Sequence, residues 1–291
     1  MTIIYNYLKP VIIIGAARTG TKMLRALIAS SSEFVSVPYD INYIWKYGNF
    51  HINHDELTSS NLDENIINYI HKQFFKIVKN QKNKRIVEKT VSNSLRVDFV
   101  KSIFPESKII HIIRDGRDVA ESAKRCWEAP LNISYIIEKA SSFPIKDAWK
   151  YAFQYIKYSL SRFFNKKDSV KSWGPRFKGI DEIVQKYSLI EVCGLQWLKC
   201  VESTLKKLEK LNSGEYIQVK YENLVSNPIS ESKRISDFLE IKDFNSLKKF
   251  ALKETTDKNI GKWKTNLSNE EKNLLIPHIR PMLVRLNYLE A

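Results

Sequence analysis

The feature that most constrains this chain is residues 11–24, VIIIGAARTGTKML. Val11–Ile14 is a run of four β-branched apolar residues, the composition of a strand buried on both faces in a parallel sheet. Gly15 ends the run, and residues 21–30 follow with Met23, Leu24, Leu27 and Ile28 at helical spacing. A buried strand that passes through a tight glycine-bounded loop directly into a helix aims successive backbone N–H groups and the positive helix end at one point. That arrangement is a phosphate cradle.

The spacing Gly15-x4-Gly20 matches the first part of the Walker A pattern and then departs from it. In Walker A a Lys follows the second Gly directly and a Ser or Thr follows the Lys, to reach phosphate and Mg²⁺. Here Gly20 is followed by Thr21, Lys22 and Met23, so the metal-binding hydroxyl is missing from its place, and a basic residue, Arg18, stands inside the loop. A phosphate-bearing ligand is the favoured reading of the loop. A P-loop kinase using ATP and Mg²⁺ is the alternative, and the misplaced Lys22 argues against it.

Along the chain, β-type runs alternate with helical stretches. Strands are predicted at Val11–Ile14, Arg85–Glu88, Lys108–Ile113 and 216–219, and helices at 94–103, 118–127, 194–211 and 230–239. Short strands separated by helices imply right-handed crossovers and a mostly parallel sheet with its ligand at the strands' carboxyl ends. The expected architecture is a single α/β domain over residues 1–291, a three-layer fold with a helical insertion at about 128–190 where the rhythm breaks. Between residues 139 and 186 eleven basic side chains stand against four acidic ones, about +7, which reads as a basic cover over the active face.

Composition narrows the partners. With 291 residues, 43% of them hydrophobic, the chain is long enough for one substantial core. Net charge +15 suggests an anionic partner. Abundant Lys, Asn and Ile throughout offer a purely compositional explanation, and a non-catalytic polyanion-binding protein is a third functional reading. No recognisable nucleic-acid module accompanies the charge, so nucleic acid is not an expected partner. The odd cysteine count, Cys126, Cys193 and Cys200, fits a reducing compartment. Apolar runs are strand-sized, so no membrane span is expected and a soluble, cytoplasmic protein is.

Three segments carry a family resemblance. Arg18-Thr19-Gly20-Thr21, between an apolar strand and an amphipathic helix, resembles the 5′-phosphosulfate loop of sulfotransferases, R/K-S-G-T-T, which use 3′-phosphoadenosine-5′-phosphosulfate (PAPS). Residues 108–127, KIIHIIRDGRDVAESAKRCW, resemble the family's 3′-phosphate segment, with Arg114 ending a strand and Ser122 eight residues on. Residues 85–90, RIVEKT, resemble the Glu-Lys-Thr-Pro stretch of the carbohydrate-type and bacterial branches. Weaker likeness continues through residues 219–224 and 261–264, so the resemblance covers most of the chain outside the insertion. It implies a P-loop-type fold, PAPS as donor, no metal, and a hydroxyl-bearing acceptor, with a glycan favoured. It further implies that Arg18, Thr19, Gly20, Thr21 and Lys22 hold the 5′-phosphosulfate and that Arg114 and Ser122 hold the 3′-phosphate. Glu88 would act as base, with Lys89 and Arg18 stabilising charge as the leaving group departs. Trp263, flanked by Lys262 and Lys264, is either a stacking partner for the adenine or a core residue. The chain departs from the pattern twice: Lys22 replaces the second Thr of the loop, and Val91 replaces the usual Pro.

Residues 38–56 place Tyr39, Tyr43, Trp45, Tyr47 and Phe50 among Asp40, His51 and His54. Flat rings interspersed with polar groups suit a sugar or another amphipathic acceptor. A loop whose rings complete the core is the equal alternative. His51 and His54 beside Asp55 lack a third ligand at supporting spacing, so no metal is expected.

Overall fold

A computed structural model of the protein describes residues 8–37, 39–78, 81, 84–128 and 174–290. Five strands, β1 (Val11–Ile14), β2 (Phe34–Ser36), β3 (Arg85–Glu88), β4 (Lys108–Ile113) and β5 (Tyr216–Lys220), form one sheet in the order β2-β3-β1-β4-β5. Every neighbouring pair is parallel, with Ile12 opposite Glu88 and Ile14 opposite His111. The chain runs outward from β1 to β2, returns to β3, then crosses β1 to reach β4 and β5. The order therefore reverses at β1, the switch point where parallel sheets open a crevice at their carboxyl ends.

Alternation along the strands builds the layers. Val11 and Ile13 face one side with Val87, Ile110, Ile112 and Val219. There they pack on α1 (Thr21–Ala29), α8 (Tyr221–Ser226), α9 (Pro228–Leu239) and α10 (Phe244–Glu254). Ile12 and Ile14 face the other side with Ile86 and Ile109, against α2 (Asn42–Trp45), α3 (Glu64–Val78) and α4 (Val97–Ile103). A third cluster joins α5 (Gly116–Glu128) to α7 (Leu189–Leu208) and α12 (Asn269–Arg285). Two short helices, α6 (Ile180–Lys186) and α11 (Trp263–Asn266), complete the described elements. His111, inside β4, is buried, and desolvation lowers its pKa to about 3, so it sits in the sheet as a neutral side chain.

The sheet is the α/β, P-loop-type architecture that the sequence implies. Two predicted boundaries move for local reasons. The helix expected at 94–103 divides into a 3₁₀ turn, Val91–Leu95, and α4, because Arg96 between them leaves helical geometry at φ −142°. The helix expected at 194–211 begins at Leu189, where Ser188 and Glu191 form a capping box. Helices α3, α10 and α12 were not predicted. Most of the expected basic insertion, residues 129–173, lies outside the described residues; its last part carries α6.

Candidate active site

The loop after β1 is shaped by backbone geometry. Gly20, at φ +93°, caps α1 in the left-handed region, and an added Cβ there would stand 2.6 Å from the Tyr221 ring. Arg18 is also left-handed, at φ 74°, a costly state for a residue with a Cβ. Left-handed residues on either side of Thr19 turn successive N–H groups inward as a nest. Thr19 is buried, and its hydroxyl donates to the Ala16 carbonyl at 2.8 Å, which ties the loop shut from within. Lys22 is exposed on the first turn of α1. Partial burial of its ammonium, then the neighbouring cations Lys89, Arg18 and Arg25, hold its pKa below the usual lysine value. Those neighbours place four cations around the loop and the end of β3.

The segment after β4 meets this loop directly. Arg18 Nε donates to Ser122 Oγ at 3.0 Å, and Arg114 Nη1 donates to the Arg18 carbonyl at 3.0 Å. Arg114 also donates through Nη2 to the Asn259 carbonyl at 2.5 Å, and its guanidinium lies 4.6 Å from the centroid of Tyr221. Its Nε is buried with no hydrogen-bond partner among the described residues. Both Nη groups clamp backbone carbonyls, and Nε remains to be satisfied. The Ser122 hydroxyl accepts from Arg18 and keeps its own hydrogen to donate. An unpartnered buried donor beside a hydroxyl, at the end of a loop ringed by cations, fits an anionic ligand.

Glu88 ends β3 and is fully buried, with Thr90 Oγ1 donating to its Oε1 at 2.5 Å and Asn93 Nδ2 to its Oε2 at 3.1 Å. Burial is the largest influence on it and raises its pKa to about 7, with the Thr90 hydrogen bond pulling the other way. Lys89, also buried, lies 3.5 Å from Asp40, and Asp40 accepts the Val91 N–H at 3.3 Å. The base candidate and the acceptor loop therefore share one corner.

Trp263 opens α11, held by Asp118 of α5, which accepts the N–H groups of Trp263 at 3.0 Å and Gly261 at 2.7 Å. Arg117 covers the Trp263 ring at 4.2 Å, and the indole is half-buried against the core. The sequence marks Asp118 only as the start of a helix, and no local signal announces this anchoring role.

The aromatic loop divides. Trp45 is not an acceptor contact: it is fully buried, edge-on to Phe74 at 5.3 Å and Phe104 at 6.0 Å, because α2 turns it into the core. Tyr47 stacks on Tyr69 at 3.6 Å. Tyr39, Tyr43 and Phe50 remain half-buried, and His51 is exposed. Among the described residues no group of three or more His, Cys, Asp or Glu side chains is placed to hold a metal ion.

Comparison with known proteins agrees with this geometry. A family model described as "Sulfotransferase family" matches residues 10–167, more than half of the chain. No curated protein matches. The fold is similar to that of the sulfotransferase domain from the curacin biosynthetic pathway, with TM-score 0.60 at 16% identity over 97% of this chain and 98% of that one. It is similar to the sulfotransferase domain of the Synechococcus PCC 7002 olefin synthase, with TM-score 0.56 at 14% identity over 97% and 95%. Sulfotransferase STF9 of Mycobacterium avium follows with TM-score 0.54 at 12% identity over 97% and 77%. With the family's sequence pattern running from β1 through the segment after β4, and with PAPS dependence general to that family, the chain belongs to the sulfotransferase family and is a sulfotransferase enzyme.

Proposed function

We propose that this enzyme moves the sulfuryl group of PAPS to a hydroxyl of its acceptor, and that the acceptor is a carbohydrate. The observation that carries the reading is convergence: Arg18 bonds Ser122, Arg114 bonds the Arg18 carbonyl, and Lys89 adjoins Lys22. Three segments distant in sequence thus meet at the carboxyl ends of β1, β3 and β4. In this reading the loop amides with Arg18, Thr19, Gly20, Thr21 and Lys22 hold the 5′-phosphosulfate. Arg114, through Nε, and Ser122, through its hydroxyl hydrogen, hold the 3′-phosphate, and the Trp263 indole meets the adenine. PAPS, when bound, supplies a sulfuryl group whose bond to the 5′-phosphate oxygen breaks as the acceptor oxygen bonds the sulfur. Glu88 takes the acceptor's proton on a carboxylate oxygen, and an acidity near 7 suits that task at neutral pH. Lys89 and Arg18 offset charge on the departing phosphate oxygen. Transfer of this kind is loose and in line, so fixed position and positive charge supply most of the acceleration.

The glycan reading is supported by the Glu88-Lys89-Thr90 stretch and by the half-buried rings of Tyr39 and Tyr43. A single domain carrying a basic insertion at about 128–190 would steer an anionic glycan to the site. Among the described residues no helix is long and apolar enough to cross a membrane, and the three cysteines are free, which supports a cytoplasmic setting.

A thermal-shift comparison tests the donor. Adenosine 3′,5′-bisphosphate, the product nucleotide, should raise Tm in proportion to occupancy, and ATP with Mg²⁺ should not. The reverse pattern would transfer the chain to the kinase reading.

A further inference from the structure

Glu88 stands at the end of a line of buried side chains that no sequence motif marks. Asn93, fully buried, donates through Nδ2 to Glu88, and its Oδ1 accepts from Arg96 Nε at 2.8 Å. Arg96 is itself 1% exposed. Its Nη2 donates to Asn42 Oδ1 at 2.5 Å, and its Nη1 lies 3.8 Å from Asp55. Asp55 accepts from Asn42 Nδ2 at 3.1 Å, from Ser92 Oγ at 2.8 Å and from the Arg176 N–H at 2.9 Å.

The chemistry of this line has one direction. A guanidinium only donates, whereas a carboxamide has one donating and one accepting end. Arg96 therefore claims the oxygen of Asn93, and the amide must present its N–H to Glu88. A turned amide would put oxygen against carboxylate, which opposes ionisation. We propose that Asn93 and Arg96 are positioning residues for the Glu88 base, Arg96 fixing the Asn93 amide and the amide holding the carboxylate aimed and ionisable. The proposal rests on reading Glu88 as the base. Among the described residues, the charged groups that act on Glu88 are Asp40, from the loop after β2, with Lys89 and Arg96. Asp40 opposes ionisation and the two cations favour it.

The test is a carbon-detected NMR titration of the Glu88 carboxyl, assigned by its loss in Glu88→Gln, which needs no acceptor. The wild-type midpoint is expected near 7. Asn93→Ala should raise it by roughly one pH unit, the worth of one hydrogen bond to a carboxylate. Arg96→Met should shift it the same way, and the double variant should fall short of the sum of the two single shifts, since Arg96 acts partly through the Asn93 amide and partly by its own charge. If Arg96→Met does not fold, Asn93→Ala decides the matter. An unmoved midpoint in folded Asn93→Ala overturns the proposal. Turnover separates the underlying reading. The acid limb of kcat, measured with PAPS and whichever sugar in a panel turns over, should follow the same midpoints. Midpoints that move while the limb stays fixed uphold the hydrogen-bond line and overturn Glu88 as base.

Discussion

The loop at the end of β1 presents backbone amides and the exposed side chains Arg18 and Lys22. The end of β3 presents side chains instead, and Glu88, Lys89, Thr90, Asn93 and Arg96 are each no more than 5% exposed. The first corner recognises by main-chain direction, which few substitutions can change, and its cations sit in water where charge is screened. The second is a cross-bonded network away from water, where each hydrogen bond is stronger and each missing partner costs more. In the proposed function, binding falls to the tolerant corner and proton transfer to the intolerant one.

The largest expected effect lies in the intolerant corner. Glu88→Gln should lower turnover by roughly 10²–10⁴-fold while nucleotide affinity, read by calorimetry, stays put. The wild-type rate should fall as pH drops through about 7, because the base is then protonated. A wild-type rate in Glu88→Gln would erase the contrast and direct attention to Asp40.

Next is the packing behind that corner. Trp45→Ala should cost about 3–5 kcal/mol in a denaturant melt, the range for removing a buried aromatic. A stability change below about 1 kcal/mol, with a raised acceptor KM instead, would return Trp45 to the acceptor surface.

At the end of β4, beside the tolerant corner, Arg114→Ala should weaken adenosine 3′,5′-bisphosphate by about 1.5–3 kcal/mol. Adenosine 5′-phosphosulfate, lacking the 3′-phosphate, should lose less, its loss coming only through the released Arg18 carbonyl. Equal losses in an affinity titration would make Arg114 a loop clamp and nothing more. Smallest of all, Lys22→Ala should weaken PAPS by less than about tenfold, and the deficit should shrink as salt rises, as befits an exposed charge. A larger, salt-independent loss would show that Lys22 belongs with the buried machinery.

Strands β1, β3 and β4 were legible to the residue because parallel strands buried on both faces leave contiguous β-branched runs. Helix α12 was not, since Pro277 and Pro281 lie within it and interrupt the helical pattern, although the capping box of Ser268 and Glu271 marks its start. Helix α3 carries Ile66, Ile70 and Phe74 at four-residue spacing, a signal that was present and went unassigned. That Arg18–Lys22, Glu88, Arg114 and Ser122 stand at strand ends and helix starts was readable because that junction is a local pattern, and the roles given to them come from the family resemblance. Asn93 and Arg96 were not. Asn93 lies in a 3₁₀ turn that no periodicity marks, and Arg96 meets Asn42 and Asp55 only through folding, since no spacing announces a bond between residues some forty to fifty positions apart. Trp45 shows the converse: its neighbours in sequence look like a ligand surface, and only the turn of α2 sends it inward.

The position of Asp55 bears on how this protein could be re-engineered. Its carboxylate ties the aromatic loop to Ser92, beside the base, and to Arg176, in the last part of the insertion. A graft that exchanges the loop alone for that of another family member would strand those donors inside the protein. Residues 39–57, 92–96 and 174–178 are therefore best treated as one transplantable cassette, and a change of acceptor preference by design should exchange all three stretches together.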